Sequence, residues 1–537
     1  MSKVETIVID NFFGSMTSYP DGPLNSGLSD VIESSGQDPF FKPRNLRWME
    51  VPTQIDSAGD VITDLILAGK SRVESGIVYV YAIGHTGRLY KIQVNDPTTY
   101  NPDYDNPVLL ATLSAETPTF TRGGFMEFFG STTRIYIGHD KGVTRIDFDG
   151  TNETFVGAVG SWTQNVPRPM TQFLGNLYAG NGSNLTEIIQ AGTVSTYAKL
   201  SPAFPTNTQV RDLDVVPDGT YVQAVVTDLA MTDIITPNPD TSTLAPSNSY
   251  IFKWNGTDTG YTAYNTYPQV ALSANAIFGD TNYAFGYDFL GGAMFNPTNK
   301  FLTSSVDSTF IEAPFPNAVL PMSNLITWLT PLQFDGVLTG IWSIFGTISD
   351  WEIEKGYWCP LFFNASGDET DVNRIPCQIL VSNYGVGSSF SGYTNQVFGT
   401  PKIYFSTIES SSTPTTKYKL YKWSPAPIGN SDAQEGLYQT QKQTFSKKVK
   451  PTEVRIYAQP WVANNSFTVD LIGSAGTPIT GASKTFTAGS NLTVGDDFAW
   501  YTPASAPTYT MGLRITNAGT ANMEIMKVEI DYTQAGQ

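Results

Sequence analysis

The chain repeats a short unit in which a glycine-bearing turn leads directly into an alternating strand, and that repetition restricts the fold more than any other feature. Residues 84–94 read GHTGRLYKIQV, which places Leu89, Lys91 and Gln93 on one side of a strand and Tyr90, Ile92 and Val94 on the other. A second copy, GHDKGVTRIDFDG, begins at Gly138. Weaker copies begin at Gly175 (GNLYAGNGSNLTEI), Ser249 (SYIFKWNG) and Lys417 (KYKLYKWSP). Each contains one or two short strands beside a Gly, Asn or Asp turn, which is how a small antiparallel sheet reads. A sheet this small cannot cover its own faces, so a series of them points to a β-propeller whose blades cover one another. The interval from Gly84 to Gly138 is longer than the roughly 20–50-residue periods of compact repeats, and the strand pairs fit six or seven irregular blades.

The pattern divides the chain into an N-terminal arm (1–39), a β-propeller (40–426), a linker (427–437) and a C-terminal β-sandwich of jelly-roll type (438–537). The first blade is expected to draw on 61–67 and 77–94. Its tyrosines and isoleucine at 77, 79 and 81 alternate with Val78, Val80 and Ala82. Later pairs are expected from 123–148, from QFLGNLYAG with NLTEIIQ, from NAIFGDTNYAFGYDFLGGAMFN, from NLITWLTPLQFDGVLTGIWSIFG, and from PCQILVSNYGVG with KIYFSTIES. Asp140-Lys141-Gly142 supplies a tight hairpin, while NDPTTYNPDYDNP and DIITPNPDTSTLAPSN read as loops. In the arm, Val4–Ile9 reads as a strand, and Phe12, Phe13, Tyr19 and Leu24 read as anchors against the body or a neighbouring subunit. The other reading makes the first strand close the ring with the last.

In the terminal domain Val454, Ile456 and Ala458 share a face, as do Phe467, Val469 and Leu471. Met511, Leu513 and Ile515 form a third set, and Val528, Ile530 and Tyr532 a fourth. Polar residues alternate with all of them, so each strand has one buried and one wet face.

Chemistry is less legible than architecture. The only histidines, His85 and His139, occupy matching Gly-His turns, where a turn-stabilising role competes with a pair facing across the propeller axis. Neither sits in a Ser-His-Asp, HExxH or GxxxxGK context. Asp147, Asp149, Asp288 and Asp350 are carboxylates of the kind a glycosidase pairs, yet with 49 Asp and Glu no pair is distinguished. DGTNET after Phe148 reads as a polar turn or a loose calcium site. The aromatic strip with Trp328, Phe334, Leu338, Trp342 and Phe345 reads as blade packing before it reads as a sugar platform. Cys359 and Cys377 are too few for a disulfide framework or a structural zinc site; they pair if the strands flanking their loop are neighbours, and read before that as two separate buried thiols. Asn181 and Asn255, each in an Asn-Gly-Ser/Thr sequence, read as turn residues. Lys447, Lys448 and Lys450 form the densest basic cluster and read as a solvated edge or an intersubunit ion-pair partner. No catalytic, cofactor-binding or metal residue is assigned, no cofactor is expected, and the chain is read as noncatalytic.

A surplus of 49 acidic over 31 basic residues gives a net charge of −18, which disfavours tight nonspecific binding to nucleic-acid phosphates. Neither a cleavable leader nor an 18-residue apolar span is expected.

The combination of DNFFGSMTSYPDGPLNSGL, YAIGHTGRLYKI and the final KPTEVRIYAQP and VEIDY strands resembles virion proteins of tailed bacteriophages, and more loosely the propeller-bearing tail nozzle or hub proteins. That resemblance implies a homo-oligomeric ring in the virion tail, assembled from protein made in the host cytoplasm. Its partners would be the portal, adaptor or other tail proteins and fibres. It also implies a channel through which DNA passes without specific binding, for which an acidic lumen would suit the net charge. A receptor-binding adhesin, a glycan-depolymerising enzyme and a capsid decoration protein are the alternative roles.

Overall fold

The computed structural model describes residues 4–10, 12, 31–35, 45–47 and 53–55, most of 61–268, the strands alone between 271 and 423, and most of 435–535. Apart from one 3-10 turn at Val159–Ser161, the regular structure among these residues is all β. Four strands come first: β1 (Val4–Ile9), β2 (Val31–Ser35), β3 (Leu46–Arg47) and β4 (Thr53–Ile55).

Seven antiparallel sheets follow in chain order. Sheet 1 is β5 (Ile66–Glu74), β6 (Ile77–Gly84), β7 (Arg88–Gln93) and β8 (Asn106–Thr112). Sheet 2 is β9 (Phe125–Phe128), β10 (Arg134–His139), β11 (Gly142–Asp147) and β12 (Thr154–Phe155). Sheet 3 is β13 (Met170–Phe173), β14 (Asn176–Asn181), β15 (Asn184–Ile188) and β16 (Val194–Thr196). Sheet 4 is β17 (Gln209–Val215), β18 (Val222–Thr227), β19 (Ser249–Trp254) and β20 (Ala263–Tyr267). Sheet 5 has three strands, β21 (Ala271–Phe278), β22 (Thr281–Asp288) and β23 (Gly291–Phe295). Sheet 6 is β24 (Val319–Met322), β25 (Leu325–Leu332), β26 (Leu338–Phe345) and β27 (Tyr357–Phe362). Sheet 7 joins β28 (Ile375–Ser382), β29 (Ile403–Ile408) and β30 (Tyr418–Trp423) to β4.

The first strand of every sheet lies against the first strand of the next, and β28 returns to β5, which closes a seven-bladed propeller. Closure is sealed twice. Thr53–Ile55 adds the outermost strand of sheet 7, and the buried Lys422 ammonium pairs with Asp105 from sheet 1, which also accepts a 3.1 Å bond from the Tyr404 hydroxyl. The first blade therefore starts later than the sequence suggests. Residues 61–65 form the approach to β5, and the outer strand of the last blade comes from the N-terminal side.

Neighbour coverage explains why strict alternation fails inside the blades. Val78, Val80 and Ala82 pack toward Tyr404 and Leu420 of sheet 7, whereas Tyr81 and Ile83 pack toward Ile135, Ile137 and Phe148 of sheet 2. Leu89 and Tyr90 are successive residues on opposite faces of β7, and both are fully buried. Fully burying a side chain such as Leu89 contributes about 1.5–3 kcal/mol.

The remaining strands are β31 (Glu435–Thr440), β32 (Gln443–Ala458), β33 (Ser466–Ile472), β34 (Pro478–Thr487), β35 (Phe498–Tyr501), β36 (Thr508–Ala518) and β37 (Glu524–Gln534). With β1, β2 and β3 they form a ten-stranded system in the order β1-β37-β32-β36-β31-β2, with the others branching from it. β32 shifts register between Thr444 and Val449 and passes from β36 to β37, joining the two layers of a sandwich. All four alternating sets expected in the terminal domain face this core. The N-terminal segment is woven into it. β1 pairs with β37 along its whole length, β2 pairs with β31, β3 pairs with β37, and Phe12 packs edge-on against Tyr438 at 5.4 Å. Val4–Ile9 is thus a sandwich strand and does not close the ring. Phe13, Tyr19 and Leu24 lie outside the described residues.

Candidate functional site

The Gly-His turns end the second strand of sheets 1 and 2, and Gly180-Asn181 occupies the same place in sheet 3. Glycine is required there by close approach. A Cβ on Gly84 would lie 2.2 Å from Asp64 Oδ2, and one on Gly138 would lie 2.6 Å from the Arg168 carbonyl. The residue after each glycine ties the turn to the incoming connection. The His85 backbone N–H donates to Leu65 O at 2.9 Å, and its Nδ1 accepts from Leu65 N–H at 3.1 Å and lies against the buried Asp64 carboxylate. Asp64 also accepts from the Thr86 hydroxyl at 2.6 Å.

In sheet 2 the His139 Nδ1 accepts from Lys141 N–H at 3.3 Å, which leaves Nε2–H to donate to Thr144 Oγ1 at 3.0 Å. Burial, with Arg168 and Lys141 nearby, pushes the His139 imidazole down to about 3. The neighbouring Arg168 guanidinium is itself pushed down to about 9 by burial and donates to Gly180 O at 3.3 Å. In sheet 3 Asn181 Oδ1 accepts from Thr163 N–H at 2.8 Å. The two histidines are not brought together. His85 packs at a tilt against Tyr418 of sheet 7 at 4.8 Å, and His139 sits between Phe120 and Phe155 at 5.8 and 6.0 Å.

A second constellation lines the propeller axis on the first strands of four sheets. The Lys70 ammonium on β5 pairs with Glu127 on β9, whose Oε1 accepts from Gln172 Nε2 on β13 at 3.0 Å. On β17, burial pushes the Asp214 carboxyl up to about 6, opposed by the charge of Lys70. Sequence inspection missed these four residues because they are far apart in the chain and carry no motif. Only their position on successive first strands unites them.

A third charged array covers the outside of the sandwich. Arg455 on β32 bonds Glu529 at 2.9 Å and both oxygens of Asp531 at 3.0 Å on β37. Lys527, Arg455 and Tyr457 together hold the Glu529 carboxyl down to about 2.

The remaining sequence candidates fall as follows. Asp149 closes its turn by accepting from Thr151 N–H and Oγ1 at 2.9 and 2.6 Å, and Asp147 accepts from Asn152 Nδ2 at 2.7 Å, so DGTNET is a hydrogen-bonded turn. Asn255 likewise accepts from Asp258 N–H at 2.9 Å. Lys447 and Lys448 are exposed on the shifted segment of β32, with Lys448 over the Tyr509 ring at 5.4 Å. Trp328 and Trp342 are register partners on β25 and β26, with Leu338 and Phe345 also on β26. Cys359 and Cys377 lie in different sheets, and Asp288 lies at the end of β22. Phe334 and Asp350 lie outside the described residues. Among those described, no group of three or more His, Cys, Asp and Glu is placed to hold a metal, and no helix is long and apolar enough to cross a membrane.

No protein-family model matches the chain, and no curated protein matches it. Solved structures with which it shares a partial likeness include a chain of a mitotic checkpoint complex, at 11% identity and TM-score 0.39 over 72% of this chain and 94% of that one. Another is the extracellular domain of the putative one component system BT4673 from B. thetaiotaomicron, at 9% identity and TM-score 0.39 over 91% and 63%. A third is oligopeptidase B from Trypanosoma brucei with covalently bound antipain, at 9% and 0.35 over 72% and 54%. At these scores none carries an argument about this chain.

Proposed function

We propose that the protein is a noncatalytic structural component of a tailed-bacteriophage tail, a nozzle or hub subunit that forms a ring around the DNA exit channel and supports host attachment. The observation that carries this reading is the terminal sandwich, in which strands from both ends of the chain meet beside a closed propeller. The propeller is sealed by its own N-terminal strand, so the sandwich serves as a separate attachment body with a charged outer face. Copies joined through such bodies bury surface repeatedly under symmetry. The resemblance of the N-terminal, Gly-His and C-terminal segments to tail proteins gives the assembly its place. Both histidines are consumed in turn bonds, which leaves the chemistry of the Gly-His motif structural.

The test is a phage lacking this protein, complemented by the intact chain. Particles without it are expected to fill their heads but to fail in DNA retention or host attachment. The purified protein is expected to release no sugar from host surface glycan. Sugar release dependent on two carboxylates would move the protein to the depolymerases, glycan binding without release to the adhesins, and loss of head stability alone to the decoration proteins.

A further inference from the structure

β1 is a strand with one partner. It lies at the end of the ten-stranded system, and among the described residues only β37 bonds it, along Val4–Ile9 without a register shift. An edge of this kind presents main-chain donors and acceptors outward, and proteins ordinarily guard it with a lysine, a proline, a bulge or a very short strand. None of these is present in VETIVI. Its single charge, Glu5, lies on the inner face with Ile7 and accepts from the Tyr532 hydroxyl at 2.9 Å.

The outer face of the same strand differs from its surroundings. Val4, Thr6 and Val8 stand opposite Thr533, Asp531 and Glu529, beside the ion pairs that Arg455 and Lys527 make with Glu529. Thr6 is tied into that array by donating to Asp531 at 2.6 Å, whereas Val4 is 55% and Val8 49% exposed. Two half-exposed valines therefore flank one threonine along a free edge, and this pattern is its own complement when the strand is reversed.

We infer that β1 docks with β1 of a second copy of this chain, antiparallel about a two-fold axis through Thr6. In that register Thr6 faces the partner's Thr6, Val4 faces the partner's Val8, Val8 faces the partner's Val4, and Glu5 faces the partner's Ile7. The adjoining registers that keep the outer faces together are poorer. Centring on Glu5 sets two carboxylates directly opposite one another, and centring on Ile7 sets Val4 against Asp10. The uncharged outer face of β1 suits an uncharged strand, and every copy of the chain supplies one. Such a contact closes on two copies, so it stands independently of the tail reading.

Sedimentation velocity of the full chain over about 1–100 μM, the range of moderate dimer affinities, tests the pairing. A monomer–dimer equilibrium is expected. Val8→Lys places a guarding lysine at both ends of the contact and is expected to weaken the dimer by at least about tenfold. Because Val8 is half exposed, the urea midpoint of the Val8→Lys monomer should match that of the wild-type monomer, which separates lost association from lost folding. Thr6→Cys sets two thiols opposite each other on the axis, with Cβ atoms about 5 Å apart, and is expected to yield a disulfide-linked dimer under mild oxidation. Val4→Cys sets its two thiols about 14 Å apart, at about 3.4 Å per residue, and is expected to yield none. The wild type, with Cys359 and Cys377 alone, is the control. A chain that stays monomeric throughout overturns the proposal and leaves the edge to a strand of another protein. A dimer untouched by Val8→Lys, or one cross-linked as readily through Val4→Cys as through Thr6→Cys, overturns it as well.

Discussion

Acidification should destabilise the propeller through one imidazole. His139 is fully buried, and its Nδ1 already accepts from Lys141 N–H, so a second ring proton would confront a donor. Its folded pKa is pushed down to about 3 by burial first and by Arg168 and Lys141 second, against an ordinary value of 6.5. Above pH 6.5 the ring is neutral whether the chain is folded or not. Below it the unfolded chain takes up a proton that the folded chain refuses, so stability falls as pH falls until about pH 3. The slope approaches about 1.4 kcal/mol per pH unit once the unfolded ring is mostly protonated, which integrates to about 2 kcal/mol between pH 6.5 and 4.5. The informative variant is His139→Asn, because Asn181 fills the same place in sheet 3. Urea midpoints followed by tryptophan fluorescence at pH 6.5, 5.5 and 4.5, at fixed ionic strength, give the comparison. Carboxylates titrate in both proteins, so the difference between them isolates the histidine. The wild type should lose stability more steeply than His139→Asn, and parallel pH dependences would refute the reasoning.

Three further outcomes follow from the same geometry. Asp214 has the opposite sign, since burial raises its folded pKa to about 6 and penalises the carboxylate above that pH, so Asp214→Asn should add up to about 3 kcal/mol at pH 7.5 in urea titrations, with the gain shrinking below pH 6. Arg455→Ala leaves Glu453, Glu529 and Asp531 facing one another, and should lower the sandwich's stability by about 1 kcal/mol in dilute buffer, with part of the loss recovered in high salt. Ile55→Asp places a charge in the apolar seam with Ile62, Ile66 and Leu420 where the ring closes, and should reduce stability by about 3–5 kcal/mol in thermal or urea unfolding.

Local order was legible in the sequence wherever a strand paired with its neighbour in the chain. The Gly-His turns marked the ends of β6 and β10, and the alternation of Val454, Ile456 and Ala458 or of Met511, Leu513 and Ile515 identified the buried faces of the sandwich. What stayed hidden was pairing across the length of the chain. Thr6 donates to Asp531 at 2.6 Å, yet no local pattern in VETIVI distinguishes a strand that joins β37 from one that closes a ring. Thr53–Ile55 is too short to announce itself, and becomes a strand only because β30 offers a free edge. The axis residues Lys70, Glu127, Gln172 and Asp214 were equally silent, since their proximity exists only once the first strands surround a common axis. These pairings also change what a truncation means. Removing residues 1–35 would strip β1 and β2 from the sandwich and uncover the Ile9 and Phe12 contacts, so reduced incorporation of that variant into particles would report a damaged core as readily as a lost arm.

The most direct test of a tail nozzle or hub role is electron cryomicroscopy of intact particles in which this protein carries a tag at its C-terminal sandwich. A symmetric ring of copies on the tail axis, surrounding an open channel at the distal end, is the expected result. Copies scattered over the head, peripheral spikes off the axis, or particles that contain none of the protein would contradict it.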